Sequence, residues 1–274
     1  MPTRKISDID FVVFDVETTG LDPKSGDRII EIAAIRHKNG QSRESFSSLI
    51  NPQREISPAA FAVNHITQDM VDGAPYASQV IPEFLEFIGS SCLAGYNVGF
   101  DLRFLENELG LFDRRLPQRT EVIDVMSMAR RILPSIASYG LASVANFLRI
   151  SMPQEHRALS DCLLTAEAFD KLLALLKTKG IDNYLQFYNL FCLNPAITEN
   201  INNQNLASIQ RAIDLGVSLK LKYYSSSSRE ITEREVKPKE VLQKGRDKYL
   251  IGWCSLRKDE RTFKINAILN LEII

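Results

Sequence analysis

Residues 11–20 read FVVFDVETTG, and this stretch decides the fold. Four consecutive apolar residues at its start predict a strand that is buried on both faces. Because side chains alternate along a strand, Asp15 and Glu17 project from the same side of it. Two adjacent carboxylates at the end of an apolar strand are unfavourable on their own. The sequence therefore requires a compensating group, either a cation or a structural partner such as an arginine.

The composition is that of an ordinary soluble protein. The 274 residues are 45% hydrophobic and 24% charged, which excludes the disordered, collagen-like and membrane-spanning classes. Acidic residues interrupt the basic N-terminus before any apolar segment begins, so we expect a cytoplasmic protein with no membrane partner. The four cysteines are scattered without a CxxC pair. This favours reduced thiols over a zinc site or a disulfide framework.

The net charge of −1 hides a difference between two parts of the chain. Residues 205–274 contain 14 basic and 9 acidic residues, a net charge of +5, which leaves −6 on residues 1–204. An acidic front part suits a metal ion and a basic rear part suits phosphate groups. A net charge of +5 on residues 205–274 is also compatible with an ordinary solvated surface.

The order of elements predicts an α/β fold followed by a small all-β unit. Three strands in an antiparallel meander precede alternating helices and strands, which is typical of an α/β layered domain. The Asn-rich sequence that follows indicates a linker, and the short strands after it indicate a small β-barrel. We predict a first domain at 1–180, a linker at 181–204 and a barrel at 205–274, with a helix at 206–215.

Five side chains form the candidate site: Asp15 and Glu17 on the first strand, Asp101 at the start of a helix, Asp161 in the first turns of the longest helix, and His156 just before it. Carboxylates bind hard divalent cations, and two ions about 3.5 to 4 Å apart can stabilise both the attacking and the leaving oxygen of a phosphoryl displacement. Four carboxylates can hold such a pair, with Asp15 bridging the ions. His156 would take a proton from the attacking water, because its reference pKa lies near the working pH.

Each of these residues also has an ordinary structural interpretation. Asp101 could cap its helix, and Asp161 could be a first-turn acid favoured by the helix dipole. Glu17 could pair with an arginine, and His156 could lie on the surface or in a satisfied core position. These alternatives stay open for each residue taken singly, and only the joint occurrence of the residues favours a metal site.

Three other residues are set aside. We assign no role to His37 or His65, and we expect Asp124, at a strand end, to be structural because four carboxylates suffice for two ions. The candidate site is therefore limited to the five side chains above.

Three segments resemble the exonuclease motifs of the DnaQ-like, DEDDh family, which includes the proofreading subunit of bacterial DNA polymerase III. They are FDVETTGL at 14–21, NVGFDLRFL at 97–105 and HRALSD at 156–161, and the resemblance covers about residues 8–178. It implies an RNase H-like fold and 3′-to-5′ hydrolysis of nucleic acid with two Mg²⁺ or Mn²⁺ ions. The spacing of the third segment matches the His subtype, whereas the Tyr subtype would require a tyrosine at Arg157. One departure is His65, where the family often has glycine.

The resemblance implies nucleic acid as the substrate, in DNA replication or repair. We expect single-stranded DNA, with an RNA exonuclease and a non-catalytic nucleic-acid-binding regulator as the alternatives, and a polymerase or other protein partner is left open. Thr18 and Thr19 are expected to hold a terminal nucleotide through N–H and hydroxyl groups, or else to be turn residues. Phe104 is expected to stack on a terminal base, or else to pack in the core.

The rear part resembles a WYL domain, a small Sm-like β-barrel frequent in bacterial regulators. The segments YLIGWC at 249–254 and RTFKI at 261–265 carry the likeness. It implies binding of nucleic acid or a nucleotide-like regulatory ligand, with Arg234, Arg257 and Arg261 at matching positions.

Two departures separate this part from the usual WYL pattern. Lys248 stands in place of the signature tryptophan, and Asn266 and Ala267 stand where the family usually has Asp-Arg. A barrel that is structural or docks a protein is therefore the alternative.

Overall fold

The computed structural model describes residues 4–152, 157–245 and 247–274, without the side chains of residues 195–197 and 200. The chain divides into two compact units, Ser7–Ala174 and a second unit that takes in Leu175–Ile274 and the described residues before Ser7. Each unit has a five-stranded sheet and its own hydrophobic core. Among the described residues, no helix is both long and apolar enough to cross a membrane.

The first unit is built on a sheet with the strand order β3-β2-β1-β4-β5. Its strands are β1 Phe11–Thr18, β2 Ile29–Lys38, β3 Gln41–Leu49, β4 Cys92–Gly95 and β5 Val122–Asp124. The first three strands form the predicted antiparallel meander, whereas β4 pairs with β1, and β5 with β4, in parallel. β1 is therefore the central strand, which explains why its sequence is so strongly apolar.

Seven helices are assigned to the described part of the first unit. They are α1 Pro58–Asn64, α2 Gln68–Asp72, α3 Ala77–Ile88, α4 Gly99–Gly110, α5 Val125–Ile132, α6 Leu141–Phe147 and α7 Ala158–Thr178, whose last residues belong to the second unit. At the start of α1 the Ser57 hydroxyl accepts a hydrogen bond from the Ala60 N–H at 3.1 Å, as an N-cap residue does.

Both faces of β1 are buried, as the run of apolar residues predicts. On one face Val12, Phe14 and Val16 belong to a core cluster that includes Phe104 of α4. On the other face the Phe11 ring lies 4.9 Å from the ring of Phe169 on α7. The two helices that carry Asp101 and Asp161 therefore pack on β1.

The second unit begins with helices where the sequence predicts a linker. Residues 181–204 contain α8 Tyr184–Phe191 and the first half of α9 Pro195–Leu215, so the predicted helix at 206–215 extends much further toward the N-terminus. The Asn-rich side chains are polar but leave an apolar side on the helix, where Ile209 and Ala212 are fully buried. Packing of this side stabilises α9 despite its polar sequence.

The strands of the second unit form an antiparallel sheet in the order β10-β6-β7-β8-β9. They are β6 Leu219–Ser225, β7 Glu230–Lys244, β8 Asp247–Cys254, β9 Asp259–Lys264 and β10 Ile268–Ile273. Leu219, Leu221, Val236 and Leu250 are fully buried in its core. The all-β character of this region is confirmed. Closure of the sheet into a barrel, like the domain boundaries at 180 and 204, stays a prediction.

Candidate active site

β1 places Asp15 and Glu17 on the face of the sheet that α7 covers. Both residues lie an even number of positions after Phe11, so their side chains project from the same face of the strand as Phe11. The Phe11 ring contacts α7. Both side chains are only partly buried, although the strand residues between and before them are buried. An apolar strand thus holds two carboxylates rigidly while leaving them accessible.

α7 brings Asp161 to these two carboxylates. The helix begins at Ala158, so Asp161 lies in its first turn. One oxygen from each of Asp15, Glu17 and Asp161 lies within 4.8 Å of the others. An all-oxygen donor set at this separation is of the kind that Mg²⁺ and Mn²⁺ prefer, so the residues present fit a divalent cation.

Asp101 reaches β1 from α4. Its side chain is 3% exposed, and its Oδ1 accepts a hydrogen bond from the Val16 N–H at 3.0 Å. Val98, and not Asp101, occupies the N-cap position of the helix, so the helix-capping alternative does not describe this residue. The hydrogen bond holds the carboxyl group beside the Asp15–Glu17 segment, where its charge acts on Asp15.

Asp15, Glu17 and Asp101 have raised pKa values. Burial is the main cause for Asp15, whose pKa lies well above its usual range, and the charges of Asp101, Glu17 and Asp161 raise it further. Burial and the charges of Asp161 and Glu31 raise the pKa of Glu17 to about 7. Burial likewise raises the pKa of Asp101 to about 8. The ionised cluster is therefore costly unless a cation neutralises it.

An arginine does lie near the cluster, but its main partner is another carboxylate. Arg157 donates from Nε to Glu31 Oε2 at 3.0 Å and from Nη2 to Glu31 Oε1 at 2.5 Å. Glu31 lies on β2 directly opposite Glu17. The charge of Arg157 lowers the pKa of Glu17 only as a minor influence. Arg157 therefore compensates Glu31 first, and the arginine alternative does not account for Glu17.

The predicted base, His156, lies outside the described residues, and its role stays a prediction. The residues that follow it are described: Arg157 is anchored to β2 and Ala158 begins α7. The third motif is therefore described from Arg157 onward.

Thr18 and Thr19 are both buried, with their hydroxyls hydrogen-bonded inside the chain. The Thr18 hydroxyl donates to the Gly20 carbonyl at 2.6 Å. The Thr19 hydroxyl donates to Asp27 Oδ1 at 3.2 Å and accepts from the Arg28 N–H at 3.1 Å. The Thr19 N–H donates to the Arg28 carbonyl at 2.9 Å. These groups shape the turn after β1, which is the alternative role, and a contact of Thr18 and Thr19 with a terminal nucleotide stays a prediction.

Phe104 is fully buried, with its ring centroid 4.9 Å from that of Phe100. A ring with no exposed surface cannot stack on a base, so the core-packing alternative is what the structure shows. Exposed apolar side chains occur elsewhere near the end of β1. Leu21 is 80% exposed, and Phe61 of α1 is 45% exposed.

α1 is tied to the end of β1 by two contacts. The Ser57 N–H donates to the Thr19 carbonyl at 3.2 Å, and Asn64 Nδ2 donates to the Thr18 carbonyl at 3.3 Å. The exposed apolar side chains of α1 therefore border the segment that carries Glu17.

The residues set aside have structural partners. Asp124 accepts from the Asn97 N–H at 3.0 Å and caps α5, which confirms its structural assignment. His37 is buried, and its Nε2 lies 2.7 Å from Asp170 Oδ1. His65 ends α1 with a φ of 55°, a left-handed conformation that favours glycine. This conformation explains why glycine is common at the position in the resembling family.

The three arginines of the second unit lie on different elements. Arg234 on β7 is partly buried and donates from Nε to the Thr232 hydroxyl at 3.0 Å. Arg257 is exposed in the turn after β8. Arg261 is exposed on β9, and its Nη2 lies 3.6 Å from Asp259 Oδ2. A shared ligand-binding surface formed by these arginines stays a prediction.

Two buried carboxylates escaped the sequence interpretation. Glu31 is 3% exposed and binds Arg157, and Glu108 on α4 is 1% exposed and binds Arg28. Both Arg28 hydrogen bonds to Glu108 measure 2.7 Å. The available signal was an acidic residue within an apolar pattern, as in the IIEIAAI sequence of β2.

Family models agree with both parts of the chain. A model described as "Exonuclease" matches residues 12–169, which is more than half of the chain, and a model described as "WYL domain" matches residues 204–273. The two matches follow each other in the order that the sequence indicated.

The similar curated proteins include DNA polymerase III chains. DNA polymerase III PolC-type from Clostridium perfringens is 34% identical over 199 residues, covering 73% of this chain and 13% of the relative. PolC-type from Staphylococcus epidermidis is 30% identical over 258 residues, covering 91% and 17%. A DNA polymerase III subunit epsilon-like protein from Rhodobacter capsulatus is 38% identical over 178 residues, covering 64% and 25%. The chain thus spans a quarter or less of the length of these relatives.

Solved nuclease structures share the fold. E. coli Exonuclease I in complex with a dT13 oligonucleotide has a TM-score of 0.60 at 16% identity, covering 94% of this chain and 64% of that chain. Cell-death related nuclease 4 has a TM-score of 0.53 at 17% identity, covering 61% and 64%. These identities show the fold alone, and it is the expected RNase H-like fold. From the family match, the relatives and the motifs together, the chain belongs to the DnaQ-like 3′-to-5′ exonuclease family and carries a C-terminal WYL domain.

Proposed function

We propose that this chain hydrolyses nucleic acid from its 3′ end in a divalent-metal-dependent reaction, with single-stranded DNA as its substrate. The observation that carries the proposal is the cluster of Asp15, Glu17 and Asp161, with their oxygens within 4.8 Å, beside the buried carboxyl of Asp101. β1 and α7 hold three carboxylates this close, and α4 adds a fourth beside them. Such groups repel each other, and a cation site is the function that justifies their cost.

Asp15, Glu17, Asp101 and Asp161 would hold two Mg²⁺ or Mn²⁺ ions. When bound, the ions supply positive charge that stabilises the attacking and leaving oxygens of an in-line displacement. The chain's own contribution is to fix the donors. β1 fixes Asp15 and Glu17, the Val16 N–H fixes Asp101, and the first turn of α7 fixes Asp161.

His156 would accept the proton of the attacking water at a ring nitrogen. It stands five positions before Asp161 in the sequence, and this short separation supports the assignment. A neutral imidazole is a suitable base near neutral pH.

The terminal bases of the substrate would contact exposed apolar side chains at the end of β1. Leu21 and Phe61 offer this surface, because both are exposed and α1 is hydrogen-bonded to the Thr18–Thr19 segment. Base stacking on apolar and aromatic groups tolerates any sequence, which suits an exonuclease. DNA is preferred over RNA because the relatives include DNA polymerase III chains, whose names also favour a role in replication or repair beside a polymerase.

The WYL domain would bind the strand or a regulatory ligand through Arg234, Arg257 and Arg261. Two of these arginines are exposed, and Trp253 nearby in sequence is 53% exposed. Guanidinium and aromatic groups together bind phosphates and bases.

The test is hydrolysis of 5′-labelled single-stranded DNA and RNA of one sequence, with Mg²⁺, with Mn²⁺ and with chelator. We expect products that shorten stepwise from the 3′ end, with DNA cut faster than RNA and no cleavage under chelation. Full activity in chelator would contradict the metal site. Strand binding without cleavage under any metal condition would favour the non-catalytic regulator.

A further inference from the structure

We propose that Glu31 and Arg157 are positioning residues of the metal site, which fix the start of α7, and with it Asp161, against the strands that carry Asp15 and Glu17. The inference rests on the proposed metal-dependent function. Neither residue is a ligand in it, because the Glu31 oxygens are engaged by Arg157 and by the helix.

Glu31 holds the start of α7, at Arg157 and Ala158, by three hydrogen bonds. Two come from the Arg157 guanidinium, and the third comes from the Ala158 N–H, which donates to Oε2 at 3.2 Å. The first N–H groups of a helix lack partners within the helix and usually bond to a nearby capping side chain. Here the acceptor comes from β2, 127 residues away in sequence. The contact therefore ties the helix start to the sheet.

The same contact continues to the metal-site carboxylate. The Arg157 carbonyl accepts a hydrogen bond from the Asp161 N–H at 3.0 Å, so Arg157 and Asp161 close the first turn of α7. Glu31 itself lies opposite Glu17 in the pairing of β1 with β2. One buried carboxylate thus fixes both sides of the cluster: it sits on the strand next to Glu17 and holds the turn that carries Asp161.

A two-pronged contact fixes orientation as well as distance. A guanidinium that binds both oxygens of a carboxylate permits one planar arrangement, which an ammonium group cannot reproduce. Loss of this fork would leave α7 folded but let its first turn shift. Misplacement of a catalytic group by about 1 Å costs on the order of a hundredfold in rate.

A second buried contact between the same strand and the same helix provides a matched control. His37 of β2 binds Asp170 of α7 at 2.7 Å, and His37 is 4% exposed. Asp170 lies nine residues beyond Asp161, which is about 14 Å along a helix. Both contacts dock α7 on β2, but only the Glu31–Arg157 pair borders the carboxylate cluster.

The experiment compares Glu31→Gln, Arg157→Lys and the double variant with His37→Gln. Mn²⁺ affinity is measured by calorimetry on the full chain, and single-stranded DNA hydrolysis is measured across Mg²⁺ concentrations. We expect Glu31→Gln and Arg157→Lys each to weaken Mn²⁺ binding and to lower turnover by about tenfold to a hundredfold. The double variant should be no worse than the single variants, because they break one contact. His37→Gln should lower the melting temperature but keep Mn²⁺ affinity within about twofold.

The outcomes separate this inference from the proposed function. If the wild type binds Mn²⁺ but hydrolyses nothing, the proposed function fails and the Mn²⁺ affinities still decide the inference. If Glu31→Gln and Arg157→Lys bind Mn²⁺ as His37→Gln does, positioning is overturned. If only Arg157→Lys binds Mn²⁺ with wild-type affinity, the two-pronged contact is not needed for positioning. The Glu31–Arg157 pair would then act through its charges alone. If Glu31→Gln does not fold, the partly exposed Arg157 still gives the comparison through Arg157→Lys.

Discussion

The carboxylates around β1 and the arginines of the second unit are held in opposite ways. Asp101 is 3% exposed and fixed by a backbone N–H, and the carboxylates beside it have raised pKa values. Arg257 and Arg261, by contrast, are exposed to water. Burial makes like charges expensive, so carboxylates crowded at a partly buried site point to a function, whereas an exposed arginine costs little and indicates little.

Loss of one carboxylate of the metal site should have the greatest effect. Asp15→Asn should lower the rate of hydrolysis by on the order of a thousandfold, because it removes one of the four carboxylates that would hold the ions. The same change should raise the melting temperature of the chelated protein, because repulsion within the cluster decreases. Stopped-flow hydrolysis and thermal unfolding check the two effects. Asp69→Asn, at an exposed position of α2, is the control and should leave the rate of hydrolysis unchanged. Wild-type hydrolysis in Asp15→Asn would contradict the metal site.

The next effect concerns the arginine–carboxylate pair that joins α4 to the start of β2. Arg28→Ala leaves Glu108 buried and unpaired, so we expect a loss of about 3 kcal/mol in the free energy of unfolding. Lys239→Ala, which breaks an exposed ion pair with Glu260, should leave the unfolding midpoint unchanged. Denaturant unfolding measures both. Equal effects of the two changes would contradict the contrast between buried and exposed charge.

The raised pKa values predict an unusual dependence of stability on pH. The pKa of Glu17 rises from 4.5 to about 7 and that of Asp101 from 3.8 to about 8 on folding. Between the unfolded and folded pKa values the folded chain binds more protons, so these groups make the free energy of unfolding decrease as pH rises through the window. Relative to Asp101→Asn, we expect the melting temperature of the chelated wild type to fall as the pH rises from about 5 to about 8. Added Mg²⁺ should raise the melting temperature of the wild type most near pH 8. A chelated wild type that gains stability over this range, relative to the variant, would contradict the shifts.

The smallest effect is expected in the WYL domain. The double change Arg257→Gln and Arg261→Gln should weaken binding of single-stranded DNA a few-fold and reduce the slope of log K against log salt by about 1.4, since each neutralised phosphate contributes about 0.7. Turnover at saturating substrate should not change, because the carboxylates remain intact. Fluorescence anisotropy over a salt series measures the slope. Unchanged binding and an unchanged slope would reject a nucleic-acid role for these arginines.

The sequence predicts the parts of the structure that local patterns determine. The apolar run of β1 predicts a strand buried on both faces, and the spacing of Phe104, Leu105 and Leu109 predicts the buried side of α4. The motifs likewise place three carboxylates that the structure brings within 4.8 Å of one another. The strand, the helix face and each motif taken singly are short local patterns, whereas the meeting of the three carboxylates joins residues far apart in the sequence.

Other features depend on contacts between distant residues. Glu31 and Arg157 meet across 126 positions, and no local pattern assigns them to each other. The Asn-rich start of α9 is helical as part of a longer helix whose second half packs Ile209 and Ala212 into the second core, a tertiary effect that overrides a weak local preference. Phe104 fits base stacking and core packing equally well by pattern, and only its burial separates the two.

The metal site is tested most directly by hydrolysis of a 5′-labelled single strand with Mg²⁺, with Asp161→Asn compared with the wild type. If Asp161 is a metal-site carboxylate, the wild type shortens the strand from its 3′ end, and the variant, though folded, does so at least about a hundredfold more slowly. If Asp161 is only a first-turn acid favoured by the helix dipole, the variant loses about 0.5 kcal/mol of stability and cleaves at the wild-type rate. Cleavage at the wild-type rate would contradict a metal site at Asp161.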